Sequence, residues 1–91
     1  MTPALHAHLT CWLDWAENGA PNGEPFWRGW GLCYNTPGSL CAELRELLKS
    51  DSGDGWPYPF GGRAQYDAEQ RDRTAHLNPQ RLAWVRGKVG R

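Results

Sequence analysis

Trp56-Pro57-Tyr58-Pro59-Phe60-Gly61-Gly62 divides the chain. Its two prolines fix φ and remove amide donors, so Trp56 and Tyr58, each ahead of a proline, are pushed to extended or polyproline backbone. Gly61 and Gly62 then permit a reversal that residues with a Cβ would resist. An ordinary helix cannot run through this stretch, and the prolines confine any minor β-hairpin at residues 56–60 to an edge. A rigid aromatic turn of this kind either plugs a small core or presents an anchor to a partner.

Helical signals lie on both sides of it. Residues 3–18 predict a first helix, because Leu5, Leu9, Trp12 and Ala16 recur at helical spacing, Leu13 broadens the stripe and Asn18-Gly19 supplies a stop. Residues 20–35 read as loop, broken by Pro21-Asn22-Gly23 and Pro25 and studded with Phe26, Trp27 and Trp30. A second helix starts near Thr36 or Ser39 and turns Leu40, Cys41, Leu44, Leu47 and Leu48 inward. The run Ser50-Asp51-Ser52-Gly53-Asp54-Gly55 has the composition of an exposed turn that ends it. Beyond the aromatic turn, residues 63–73 are polar, with room for a short helix at 65–71 packed through Tyr66. The last helix is capped by Asn78, carries Pro79 in its first position, and shows Leu82, Val85 and Val89 inward with Trp84 beside them. Gly87 is expected to fray or end it.

The fold class expected is therefore mainly α: one small domain, 1–91, of about three helices. Irregular aromatic-rich loops at about 19–36 and 51–76 fill the gaps. Composition agrees. The chain has no Ile, and Val only at 85 and 89, too few β-branched residues for a strand-rich fold. Six Trp, three Tyr and two Phe supply large buried areas instead.

Ten basic and ten acidic residues cancel, which disfavours nucleic acid as a partner, although Arg71, Arg73, Arg81, Arg86, Lys88 and Arg91 make the last third locally basic. The start, Met1-Thr2-Pro3-Ala4-Leu5-His6, carries no signal-peptide pattern, and no window approaches the roughly 18 apolar residues of a membrane span, so no membrane association is expected. Three cysteines, an odd number, suit reduced thiols in a cytosol better than a disulfide framework.

No catalytic constellation assembles from the sequence, and none of the expected site residues is catalytic. His6, His8, Cys11, Cys33, Cys41 and His76 include the residue types of a zinc site, but they lack a Cys-x-x-Cys spacing, so no metal is expected. Cys33 with His76 as base lies in no recognisable nucleophile signature. Asp51 and Asp54 fall in the exposed turn, where a poised acid is hard to hold. Gly61-Gly62-Arg63 could contact an anion but is no phosphate loop. No cofactor is expected, and the chain is not expected to be an enzyme. Six Trp are more than one small core hides, and Trp, Tyr and Arg are the residues of interface hot spots. Trp27, Arg28, Trp30, Trp56, Tyr58, Arg63, Arg71 and Arg73 are accordingly the candidate partner-binding residues.

Three pieces occur in order: Gly31-Leu32-Cys33 entering a helix, Tyr58-Pro59-Phe60-Gly61-Gly62, and His76-Leu77-Asn78-Pro79-Gln80-Arg81-Leu82-Ala83-Trp84-Val85. Over about residues 29–88 this layout resembles small uncharacterised accessory proteins of tailed bacteriophages and prophages. The shared motifs are a turn, a capped helix start and a packing Trp, and they bring no catalytic residue. The resemblance implies a phage gene product acting in the host bacterial cytoplasm. The function expected is an interaction protein that binds and inhibits a host protein or protein complex, such as an immune system of the CRISPR kind. The alternatives are a binder that sequesters a signalling nucleotide through aromatic stacking with Arg63, Arg71 and Arg73, and a structural phage accessory protein. Surplus aromatics fit a homodimer as well.

Overall fold

Thr2 and Pro3 start the first helix as their chemistry dictates. Proline at the first helical position forfeits an amide that has no partner there, and the Thr2 Oγ1 accepts from the Leu5 amide at 3.3 Å. The computed structural model describes residues 1–21, 38–52 and 58–91. Within them run α1 (Pro3–Glu17), α2 (Gly38–Ser52), α3 (Gly62–Asp72), a 3-10 turn (Ala75–Leu77) and α4 (Pro79–Val89). The described residues contain no strand.

Helix α1 lies at the centre, touching α2, α4 and the 3-10 turn. Its Leu5, Leu9, Trp12 and Leu13 are fully buried and meet Leu44 and Leu48 of α2 and Val85 of α4 in one core. Leu40, Leu47, Tyr58, Phe60, Tyr66, Leu82, Trp84 and Val89 close around it half-buried. Both leucine stripes and the α4 stripe thus face inward as their spacing requires. The radius of gyration is 12.1 Å. A folded chain of this length is expected near 12 Å.

Among the described residues four α-helices stand where about three were expected, and three boundaries differ from the sequence reading. Helix α2 continues through Ser52, so Asp51 sits in its last turn and not in an exposed loop. An acid there opposes the helix dipole. It is held by the Trp84 Nε1–H and the Lys88 ammonium, each 2.7 Å from its Oδ2. Helix α4 passes through Gly87 and ends at Gly90, which takes the left-handed cap at φ +81°. One interior glycine costs only about 1 kcal/mol, and Val85 and Val89 packing on either side outweighs it. The polar stretch 63–73 holds a full helix of 11 residues, α3, and with the 3-10 turn it replaces much of the loop expected at 51–76. The minor β-hairpin that the sequence allows at 56–60 falls partly outside the described residues; from Tyr58 onward the backbone turns.

Candidate functional site

The aromatic turn is built into the core. Pro59 is buried, Phe60 packs on Trp84 with ring centroids 5.9 Å apart, and the Gly62 amide donates to the Tyr58 carbonyl at 3.0 Å. Phe60 itself adopts a left-handed φ of +65°, which a side chain with a Cβ tolerates only when its surroundings impose it. Its carbonyl is held by the Asn78 Nδ2–H at 2.8 Å. Gly61, at φ +128°, has no room for a Cβ, which would stand 2.7 Å from Gln65 Cγ.

Asn78 therefore has two tasks. Its Oδ1 caps α4 by accepting from the Gln80 and Arg81 amides at 3.0 and 3.1 Å, while its amide group reaches Phe60 and, at 2.7 Å, Glu69 Oε1. Glu69, from the polar helix α3, is only 1% exposed, as is Arg81 from α4. The Arg81 Nη2–H donates to Glu69 Oε2 at 2.8 Å, Nη1–H donates to the Ala75 carbonyl, and Gln65 Nε2–H donates to Glu69 Oε1 at 2.9 Å. The Arg81 guanidinium also lies 5.8 Å from the centre of the Phe60 ring. A buried carboxylate and a buried guanidinium are tolerable only when paired and hydrogen-bonded in this way. The network joins the aromatic turn to the start of α4, since Asn78 holds the Phe60 carbonyl and the Arg81 guanidinium lies beside the Phe60 ring.

Sequence reading missed Glu69, Gln65 and Arg81 as partners. Arg81 stands four residues before Val85 and eight before Val89, so its place on the inward face was implied by spacing. Its charge concealed that. Nothing in the sequence pairs it with Glu69.

Of the candidate partner-binding residues, Trp27, Arg28, Trp30 and Trp56 lie outside the described residues, as do Cys33 and the side chain of Cys41. Tyr58 and Arg63 come together. The Tyr58 ring lies 5.3 Å from that of half-buried Tyr66, and the Arg63 guanidinium carbon is 6.0 Å from the Tyr58 ring centre. Arg63 also sits 3.7 Å from Asp67 one turn on. Arg71 is at the other end of α3, about 12 Å along the axis at 1.5 Å per residue, and pairs with Asp72 at 3.4 Å. Arg73 caps that end in a left-handed conformation. The three arginines do not converge on one ligand.

The locally basic last third is largely neutralised by the fold. Arg86 pairs with Glu17, Lys88 with Asp51, and Arg91 with Asp14. His6 Nε2–H donates to the Val89 carbonyl at 3.3 Å, Cys11 is exposed, and His76 meets the Trp15 ring edge-on at 5.7 Å. Burial lowers the pKa of His8. Among the described residues no group of three His, Cys, Asp or Glu could hold a metal ion, and no helix is long and apolar enough to cross a membrane. Comparisons with protein-family models, with curated proteins and with solved structures found no match.

Proposed function

We propose that this chain is a protein-interaction module that binds and inhibits a host protein, acting in the bacterial cytoplasm as the phage resemblance implies. The observation that carries the reading is the Tyr58–Tyr66–Arg63 cluster. Two half-buried tyrosine rings meet beside an exposed arginine at the end of a rigid turn. Tyrosine and arginine are frequent interface anchors, and the half-buried tyrosine rings lose little further side-chain entropy when a partner covers them. The cluster also directly follows Trp56-Pro57 in sequence, so the candidate anchors of that segment adjoin it along the chain.

The nucleotide-sequestering alternative has less support. Its three arginines are spread along α3, and two of them face neighbouring carboxylates. A ligand phosphate would compete with Asp67 and Asp72 for those guanidiniums.

The test is capture from bacterial lysate on the tagged chain, compared with Tyr58→Ala/Arg63→Ala, with circular dichroism confirming that the variant keeps its helices. A stoichiometric protein retained by the natural chain and lost by the folded variant is the expected result. Equal recovery on both would remove this surface from the function. A folded natural chain that retains nothing, yet melts at a higher temperature with a nucleotide, would replace the reading with the alternative.

A further inference from the structure

Helix α3 is attached to the rest of the molecule in an unusual way. A surface helix ordinarily docks through an apolar stripe. In Gly62–Asp72 the buried residue is a carboxylate, Glu69, supported by the half-buried ring of Tyr66. Arg63, Ala64, Gln65, Asp67, Gln70, Arg71 and Asp72 are all exposed. Beside half-buried Tyr66 and Ala68, what α3 offers the body is one buried charge, received by Arg81 and Asn78.

Both ends of the helix are places where the chain turns sharply and is anchored next door. On one side Phe60, Gly61 and Gly62 have φ of +65°, +128° and +82°, and the Phe60 carbonyl is fixed by Asn78. On the other, Arg73 has φ +55°, and the Ala75 carbonyl is fixed by Arg81. The helix can therefore detach between two points that stay bound to α4.

We propose that α3 is a flap that opens as a unit while α1, α2 and α4 remain folded, and that the Glu69 carboxylate is its latch. Opening separates Tyr66 from its neighbours but leaves the buried leucine and valine core intact, because that core belongs to the other three helices. A buried ion pair is also a weaker fastening than apolar residues of the same volume, because desolvation offsets much of its attraction. In the open form the Arg81 guanidinium and the Asn78 amide, which bind a carboxylate when the flap is shut, face solvent beside the Phe60 ring.

Native-state hydrogen exchange at residue resolution tests this on the whole chain. In the natural protein, hydrogen-bonded amides of residues 66–72 are expected to exchange at least about tenfold faster than those of residues 9–13 and 85–89, with little dependence on low denaturant. Glu69→Gln weakens the closed state, so it should speed both sets by the same factor, because the flap is open in the globally unfolded chain too. Leu48→Val weakens only the body, so it should speed residues 9–13 and leave 66–72 at the natural rate. Equal exchange of α3 and α1 in the natural protein would overturn the proposal without any variant. So would a Leu48→Val effect of the same size on both.

Discussion

Glu69 and Arg81 show how much one buried pair decides. Each is almost wholly removed from water, so the loss of either partner leaves a charge stranded in the interior. Glu69→Ala should lower stability by about 3–5 kcal/mol. Exchanging both, as Glu69→Met/Arg81→Met, should cost far less than the sum of the single changes, because no charge is then left behind. Urea denaturation of the two single variants and the double variant measures this coupling directly. Gly61 is a second residue without substitutes. A Cβ there would meet both Cγ and Cβ of Gln65 within 2.8 Å at a φ that side chains avoid. Gly61→Ala should destabilise by roughly 1–3 kcal/mol, seen as a lower urea midpoint with an unchanged slope.

At the scale of elements, the four helices are held by different means. Helices α1 and α2 depend on leucine stripes around Trp12, and their contact is reinforced where Thr2 donates through its amide and hydroxyl to Glu43 at 2.9 and 2.6 Å. Helix α4 contributes Val85 to the same core but is fixed at its start by Asn78. Helix α3 presents buried Glu69 with half-buried Tyr66 and Ala68. These differences locate a stabilising change. Gly87 lies in the interior of α4, exposed, with ordinary helical backbone and nothing within 4 Å of a Cβ placed there. Gly87→Ala should raise stability by about 0.4–1 kcal/mol, read as a higher melting temperature with unchanged helix content.

For the molecule as a whole, charge cancels in pairs between distant parts of the chain. Lys88 and Trp84 hydrogen-bond the Asp51 carboxylate and hold its pKa below the usual range. The folded state therefore favours the ionised form. This contribution is fully present above the unfolded value near pH 3.9, and is lost as pH falls through the lower folded value. Asp51→Asn should flatten that part of the acid limb, by no more than about 1 kcal/mol because the pair is partly solvated. The sign is the same for His8, but the window is higher. Its burial disfavours the imidazolium, so stability should begin to fall below about pH 6.5. Thermal melts of the natural chain and Asp51→Asn from pH 7 to pH 3 separate the two steps.

Local chemistry was sufficient to read the mainly helical class, the inward leucine stripes of α1 and α2, the α4 stripe and the Asn78 cap, whereas Ser39 lies inside α2 rather than capping it and Thr36 falls outside the described residues. Each depends on residues within a few positions of one another, whose spacing determines which faces meet the core. The extent of α3 was not readable, because a polar helix gives no apolar period and its fastening, Glu69 to Arg81, spans 12 residues. The end of α2 was misread for the same reason: Asp51 looks like a turn residue until Lys88 and Trp84, more than thirty residues away, are brought beside it. The candidate surface divides similarly. Composition singled out Tyr58 and Arg63, but their proximity to Tyr66, and the separation of Arg71 and Arg73 from them, depend on the direction in which α3 leaves the turn. Sequence alone determined that the chain is mainly helical and which apolar faces of α1, α2 and α4 turn inward. Only tertiary structure decided which charges are buried together, because a buried ion pair is stable only when distant donors converge on it, and no local pattern encodes that convergence.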